Sequence, residues 1–489
     1  MQRIDATSAQ PLFGTAATRR IEQAAMSMLP PHTLMQRAGL AVARLALALA
    51  PNAGRIWIAC GPGNNGGDGL EAALHLHQWG KAVVVTWLGD EAHAPADARA
   101  SLLRARGAGV VLAAEAPPRL DTQDLAIDAL LGLGSRRAPE GRMAEWIARM
   151  NSGPAPVLAV DLPTGLNTDT GAAASPTVQA RHTLSLLTLK PGLFTAGGRD
   201  AAGQVWLDTL GVVAAEPATA ILGGPPAPRP RAHASHKGSY GDVAIVGGAP
   251  GMTGAALLAA SAALHGGAGR VLVGLLDDRP AAAGIAAALG ATHPELMLRA
   301  VSALDVARQT VVCGCGGGQA VAAVLPRLLA EAPRMVIDAD ALNAIAADAA
   351  LQTQLRARGD RAQFTVMTPH PLEAARLLGI DTGTLQADRL DAARRLAERF
   401  GCVVLLKGSG SVIAAPDAPP VINSTGNALL ATAGTGDVLA GFTGALLAAG
   451  HTAFGAACSA AYLHGLAADS WPADTTLTAG ALAARLHVP

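Results

Sequence analysis

The sequence predicts an α/β protein built as two successive units, each a parallel sheet covered on both faces by helices. Three observations carry that prediction. Short, almost continuously apolar runs alternate with alanine-rich helical stretches along the whole chain. Strands apolar on both faces belong to parallel sheets sandwiched between helices. Second, "GGPPAPRPRAHASHKG" (Gly223–Gly238) packs four prolines into a stretch without helical or strand period, and fixed φ with missing donors makes it a semi-extended connector. Third, isolated polar residues cluster where the apolar runs end: Asn64, Asn65, Asp68, Asp128 and Asp161 in the first half, and Asp338, Asp340, His370, Lys407 and Asp437 in the second. Ligands of open α/β sheets bind beyond the carboxyl ends of the strands. The expected boundaries are residues 1–222, a linker over 223–234, and residues 235–489.

Composition narrows the function. The chain has 489 residues, with 37 basic and 37 acidic side chains, so no net field draws it to nucleic acid or an acidic membrane. No apolar run reaches the ~18–20 residues of a spanning helix, and the N-terminus lacks an apolar signal segment. The expectation is a cytoplasmic protein with neither nucleic-acid nor membrane partners, and a homo-oligomer. The cysteines (Cys60, Cys313, Cys315, Cys402, Cys458) sit mostly in apolar runs and read as small core residues, since C-x-C alone lacks the second pair of a zinc site. Only four basic residues are lysine, and Lys190, Lys237 and Lys407 stand close to glycine, in "LKPG", "SHKG" and "LKGSG".

In the first half, "RIWIAC", "AVVVTWLG", "LAIDALL" and "PVLAVDLP" read as strands. The first runs into "GPGNNGGDGL" (Gly61–Leu70), where Gly61, Gly63 and Gly66 have the G-x-G-x-x-G spacing of a dinucleotide loop, and "LEAALHLHQWG" (Leu70–Gly80) reads as the following helix. An NAD-dependent dehydrogenase is the simplest reading, but an aspartate inside a phosphate-binding turn repels its ligand. Asp68 therefore serves either as a helix cap or as a ligand group beside the Asn64–Asn65 amides. Asp128 closes a strand before a glycine turn carrying Arg136 and Arg137, which meet phosphate or are simply solvated. Asp161 follows a buried strand, as a turn former or a functional acid.

In the second half the strands are "DVAIVGG", "RVLVGLL", "TVVCGCG", "RMVIDAD", "FTVMTPH" and "VVLLKGS". "TAGTGDVLAGFTGALLAAG" (Thr432–Gly450) opens a long helix with glycines, so free N–H groups and the helix dipole converge on one point. Asp437 beside that point is a helix cap or the base that deprotonates a hydroxyl attacking a phosphoryl group. "VVLLKGSGSVI" (Val403–Ile413) is a strand, a glycine turn and a strand, suited to nucleotide phosphates, with Lys407 as a point charge. No G-x-x-x-x-G-K-[ST] occurs, which excludes a P-loop enzyme. His370 stands between two prolines before a helix, as a held side chain or a structural one.

Taken in order, "GPGNNGGDG", "DALLGLG" and "DLPTG" resemble the NAD(P)H-hydrate epimerase family, from about "LMQRAG" (Leu34–Gly39) to "KPGL" and "GGRD" (Lys190–Leu193, Gly197–Asp200). "SHKG", "GMTGAALLA", "TPHP", "LKGSG" and "GTGDVLAG" resemble the ADP- or ATP-dependent NAD(P)H-hydrate dehydratases. The resemblance implies a Rossmann-like three-layer domain followed by a ribokinase-like domain. It implies a bifunctional repair enzyme that epimerises hydrated NADH and NADPH (NADHX and NADPHX) at C6 and dehydrates the S form at the expense of ADP, giving AMP and phosphate.

Carried over by resemblance, Asn64, Asn65, Gly66, Gly67 and Asp68, the turn Gly132, Leu133, Gly134, Ser135, Arg136, Arg137 and Ala138, and Asp161 contact the epimerase substrate. Asp161 is the acid/base, and Asn65, Asp128 and Thr164 hold K+, with Thr164 replacing the family's usual serine. In the dehydratase, Ala255, Gly318, His370 and Asp437 contact the substrate, Asp437 as base. Lys407, Gly408, Ser409, Gly410, Ser411 and Gly436 contact the adenine nucleotide, which arrives with Mg2+. "CGCGGG" (Cys313–Gly318) lacks a proline usual in that turn, and "TGNALLATAGTGD" departs from a more methionine- and glycine-rich approach. Three rivals remain: a ribokinase-class small-molecule kinase with a non-catalytic dinucleotide-binding domain, an NAD(P) sensor without turnover, and the dehydrogenase.

Overall fold

The computed structural model describes residues 1–134, 137–277 and 293–488. The chain divides into two compact units, Met1–Asp5 with Gln10–Leu222, and Ala6–Ala9 with Gly223–Pro489. No helix or strand lies between Leu222 and Lys237, and no described helix is long and apolar enough to cross a membrane.

The first unit contains β1 (Gln2–Arg3), β2 (Gln10–Leu12), β3 (Ile56–Cys60), β4 (Val83–Trp87), β5 (Leu112–Ala113), β6 (Leu125–Ala129), β7 (Val157–Val160), β8 (His182–Leu186), β9 (Gln204–Asp208) and β10 (Ala220–Leu222). Its main sheet has the order β1-β9-β8-β7-β6-β3-β4-β5, parallel except where β1 meets β9. β2 and β10 pair antiparallel. Period-2 alternation sends Ile56, Ile58 and Cys60 of β3 to one face, against helices Thr33–Leu49, Asn64–Gln78 and Ala96–Gly107. Trp57 and Ala59 go to the other face, against Trp146 and Ile147 of helix Gly141–Ser152. The chain runs outward from β3 to β5 and returns to β6 on the other side of β3. The carboxyl ends of β3 and β6 thus flank a topological switch point, the crevice where such sheets bind ligands.

The helix after β3 starts at Asn64 rather than Leu70, so most of the glycine-rich stretch is helical. Close packing explains the composition. A Cβ on Gly61 would fall 1.8 Å from the Leu130 carbonyl oxygen, and one on Gly66 would fall 2.0 Å from that of Gly61. The glycines let the start of the helix, the end of β3 and the end of β6 touch backbone to backbone. β8 and β9, "HTLSL" and "QVWLD", are strands with polar residues among the apolar ones, and periodicity alone does not announce them.

The second unit contains β11 (Asp242–Gly247), β12 (Arg270–Leu275), β13 (Leu296–Leu298), β14 (Thr310–Cys313), β15 (Arg334–Ile337), β16 (Phe364–Met367), β17 (Val403–Leu406), β18 (Val412–Ala415) and β19 (Ala418–Ile422). They are ordered β13-β12-β11-β14-β15-β16-β17-β18-β19. The expectation of wholly parallel sheets needs correction here: β17, β18 and β19 form an antiparallel meander on one side of the parallel body, because the short turn Lys407–Ser411 permits a hairpin where a crossover needs a dozen residues or more. Val243, Ile245, Val312, Val336 and Leu405 pack with helices Thr253–His265, Thr435–Ala448 and Ala453–Asp469. The switch point lies between β11 and β14.

Candidate active sites

In the first unit a cavity of about 480 Å³ opens at the switch point. Asn64, Asn65 and Asp68 line it from the helix after β3, Leu130–Gly134 from the turn after β6, Asp161 from the end of β7, Leu186 from the end of β8, and Leu187 and Lys190 from beyond it. Asp161 has φ +67°, uncommon for a residue with a side chain, and strain of this kind gathers at functional sites. Its backbone N–H donates to Leu184 O at 2.8 Å. Its Oδ1 accepts from Leu186 N at 3.2 Å and from the Lys190 ammonium. Oδ2 has no hydrogen bond among the described residues. Lys190 is 1% exposed and also donates to Leu186 O at 2.7 Å and Ser185 Oγ at 3.3 Å. A fully buried ammonium thus has all its protons assigned, one of them to Asp161.

Asp68 lies inside the helix, which is capped at Gly63 without a side-chain bond; the cap alternative is therefore wrong, the helix having begun four residues earlier. Part of Asp68 opens on the cavity, yet protein surrounds the carboxyl closely. Burial, reinforced by Asp161 and Glu22, pushes its pKa well above the usual carboxylate range. Burial that favours the neutral carboxyl weakens its repulsion of phosphate, so charge repulsion at Asp68 is a poor reason to exclude dinucleotides.

Asp128 is wholly buried. Its oxygens accept from Thr164 N (2.8 Å), Thr164 Oγ1 (2.7 Å) and Leu130 N (3.2 Å). Burial still lifts its pKa to about 6, against the Thr164 bonds that lower it. Asn65 Nδ2 is buried without a partner, while Asn65 Oδ1 lies beside Gly132. The Thr164 hydroxyl meets the same turn, accepting from Leu131 N at 3.0 Å. A buried carboxylate, a hydroxyl and an amide with one orphaned end suit a weakly bound monovalent cation, since turning the amide over would present its oxygen at the orphaned position.

Gly66 and Gly67 are buried in helix packing and do not line the cavity; Arg137 and Ala138 are exposed. Ser135 and Arg136 lie outside the described residues. The motifs also missed a wall: Thr18, Arg19, Glu22 and Met26 of helix Thr15–Met28, and Asp97 of helix Ala96–Gly107, line the same cavity. Lys190 stood out as one of four lysines and within "KPGL", with no role assigned from sequence.

In the second unit, Gly434 at φ +89° caps helix Thr435–Ala448, whose first turn carries Asp437. Asp437 makes no side-chain cap, which removes that alternative. The Lys407 ammonium reaches from the end of β17 to Asp338 Oδ1 at 2.7 Å, and it lies 3.3 Å from where a Cβ on Gly436 would stand. Asp338 also accepts from Thr368 Oγ1 at 2.8 Å. The Cys315 thiol lies 4.0 Å from Asp338 Oδ2, and its sulfur and one carboxylate oxygen each of Asp338 and Asp437 lie within 4.8 Å of one another. It is a buried core residue, as its sequence context predicts, and it also stands beside these two carboxylates.

Burial raises the Asp437 pKa to about 6, helped by Asp338 and opposed by Cys315 and Lys407. Burial pulls Lys407 down, but Asp338 and Glu373 outweigh it and leave its pKa above the ordinary value.

His370 caps helix Pro371–Leu378, its Nδ1 accepting from Leu372 N (3.1 Å) and Glu373 N (3.4 Å). The flanking prolines hold a capping side chain whose ring stays half exposed. Gly318 N donates to Asp340 Oδ2 at 2.8 Å. Ala255 meets the same turn at Gly316, so Ala255 and Gly318 come together. Gly408 at φ +140° and Gly410 at φ +58° shape the turn after Lys407, which Ser411 Oγ closes onto Gly408 O at 3.1 Å; Ser409 stands exposed on it. Asp338, Asp340, Glu373 and Cys315 join this cluster without having been assigned a role from sequence.

Residues 243–487 match the family model described as NAD(P)H-hydrate dehydratase, and residues 31–192 match that of the YjeF-related protein N-terminus. The bifunctional NAD(P)H-hydrate repair enzyme Nnr of Escherichia coli is 38% identical over 461 residues, covering 90% of this chain and 85% of that protein. The ADP-dependent (S)-NAD(P)H-hydrate dehydratase of Neisseria meningitidis is 44% identical over 262 residues, 52% of this chain and 86% of its own. A solved ADP/ATP-dependent NAD(P)H-hydrate dehydratase of Bacillus subtilis, co-crystallized with ATP/Mg2+, aligns at 29% identity with a TM-score of 0.44, covering 53% of this chain and 91% of that one.

Proposed function

Because this chain belongs to the bifunctional NAD(P)H-hydrate repair enzymes, we propose how its two clusters divide the work. The first unit, expected over residues 1–222, epimerises hydrated NADH and NADPH; the second, over 235–489, dehydrates the S epimer with ADP as phosphoryl donor. The observation that carries this division is that each unit has its own acid–lysine cluster at the carboxyl ends of the parallel strands of its own sheet.

C6 of the hydrate bears both a hydroxyl and the ring nitrogen, so it is a hemiaminal that opens and recloses by proton transfer. Asp161 exchanges that proton through Oδ2, while Lys190 and Leu186 N hold Oδ1 and fix the carboxylate's orientation. Asn65, Asp128 and Thr164 would hold K+, whose charge would offset the buried Asp128 carboxylate.

In the second unit Asp437 takes the C6 hydroxyl proton as that oxygen attacks the terminal phosphoryl group. Developing charge falls on the N–H groups of Gly436 and Asp437 at the helix start and on Lys407. Hydroxide is a poor leaving group and phosphate a good one, so loss of phosphate from C6 with a proton from C5 restores the nicotinamide double bond. The turn Lys407–Ser411 and Gly436 hold the nucleotide, with Mg2+ screening its phosphates.

The test is to mix purified protein, an epimeric mixture of hydrated NADH, Mg2+ and either ADP or ATP, and follow reduced-nicotinamide absorbance. Recovery of both epimers with ADP is expected. Stable phosphorylated product without recovery would favour the kinase reading instead.

A further inference from the structure

Helix Thr15–Met28 forms a wall of the first cavity that lies upstream of the residues matching the family model. Its Ala17 and Ile21 pack inward with Phe13 and Leu187, while Thr18, Glu22 and Met26, one turn apart, share the face that lines the cavity. Glu22 thus lines the same space as Asp161 but arrives from a different element. The charged groups facing it are Arg19 on its own helix, Asp161 at the end of β7, Lys190 beyond β8, Asp97 on helix Ala96–Gly107 and Asp68 on helix Asn64–Gln78. Unlike Asp161, which Lys190 holds, the Glu22 carboxyl makes no hydrogen bond or ion pair among the described residues. Burial, then Asp161, raises its pKa, against Lys190 and Arg19. Two carboxyls in one cavity, one gripped by an ammonium and one whose burial favours its neutral form, form the pattern of a base and an acid.

Opening a hemiaminal needs both. The hydroxyl must lose a proton, and the departing nitrogen must gain one. We propose that Glu22 is the second proton-transfer residue of the epimerase site, protonating ring nitrogen N1 while Asp161 deprotonates the C6 hydroxyl. The O–H pair becomes the second bond of a C6 aldehyde, the C6–N1 pair goes to nitrogen, and the Glu22 proton completes the N–H. Rotation about C5–C6 and the reverse steps return both protons and give the other epimer. Nothing is oxidised or reduced.

This assignment rests on the epimerase reading, and the experiment separates the two. Interconversion of the epimers of hydrated NADH is followed chromatographically without adenine nucleotide, for the wild type, Glu22→Gln and Glu22→Asp, across pH. Glu22→Gln is expected to lose ~10²–10⁴-fold in kcat, the usual worth of a general acid, with KM within about threefold and the alkaline fall in rate gone, because its amide has no proton to lose. Glu22→Asp keeps an acid one methylene short, and should show an intermediate rate with the alkaline fall retained. Epimerisation by Glu22→Gln within threefold of wild type overturns the proposal alone. So does a large loss that keeps the wild-type alkaline fall, since that pattern marks a structural role. No epimerisation by the wild type overturns the epimerase reading and the proposal with it.

Discussion

In the first unit the buried ammonium of Lys190 holds Asp161, the proposed acid/base, whereas in the second the ammonium of Lys407 pairs with Asp338 and leaves Asp437, the proposed base, beside a thiol. The chemistry accounts for the difference. Epimerisation moves protons between oxygen and nitrogen, and a rigidly aimed carboxylate oxygen serves that exchange. Phosphoryl transfer needs a cation facing the phosphate and a base that keeps its affinity for protons. Tying Lys407 to Asp338 places the charge over Gly436 and spares Asp437 a direct ion pair, so burial holds its pKa at about 6. In the proposed roles, one lysine orients the base and the other faces the transferred phosphate.

The largest expected effects break the two sites apart. Asp437→Asn should cost the dehydratase ~10²–10⁴-fold, the range for a lost general base, and leave the epimerase rate unchanged; Asp161→Asn should do the reverse. Separate assays of the two steps on each variant decide it, and a folded variant losing both activities would refute independent sites. Next comes the buried pair of the first unit. Lys190→Met strands Asp161, 11% exposed, without its cation, a change that typically costs ~3–5 kcal/mol. Urea unfolding should show the transition of the first unit displaced to lower denaturant while dehydration persists. An unmoved transition would mean that Lys190 is no anchor.

Much of this was legible from residue order. The apolar strands, the acids at their ends and the GTGD turn lie close in sequence to what they build, so β3, β6, β7, β11 and β14–β17 and the positions of Asp161 and Asp437 follow from local pattern. What stayed hidden depends on distance along the chain. Glu22 reaches the cavity of Asp161 because its helix is tied to the segment after β8, Phe13 N donating to Leu189 O and Thr18 Oγ1 bonding Thr188 Oγ1; alone it is one acid on an ordinary amphipathic helix. Lys190 carries no motif that names Asp161 as its partner. Cys315 looked like core because its neighbours are apolar, and only the folded β14–β15 crossover sets its sulfur near Asp338. The glycines of Gly61–Gly69 suggested a phosphate loop, whereas in the fold Gly61 and Gly66 mainly allow backbone contact.

The smallest expected effect sharpens the comparison most, because it tests the thiol that takes the place of an ammonium beside Asp437. As the base, Asp437 must be ionised, so dehydratase kcat/KM should fall about tenfold per pH unit below its pKa of about 6. The Cys315 thiol beside it stabilises the carboxylate and holds that pKa down. Cys315→Ala removes the donor and leaves burial and Asp338 to act, so the midpoint of the acid limb should rise. A hydrogen bond to a charged group is worth ~1.5 kcal/mol or more, one pKa unit is ~1.4 kcal/mol, and a thiol is a weak donor; the midpoint should therefore move up by about half a pH unit. Cys315→Ser, with a stronger donor, should move it down or leave it in place. At pH 8, where Asp437 is ionised in every variant, the three rates should converge. A Cys315→Ala enzyme slowed equally at every pH would show instead that the side chain only packs the turn. A midpoint that failed to rise would leave Lys407 as the sole check on the proton affinity of Asp437, bringing the second site closer to the first than the structure indicates.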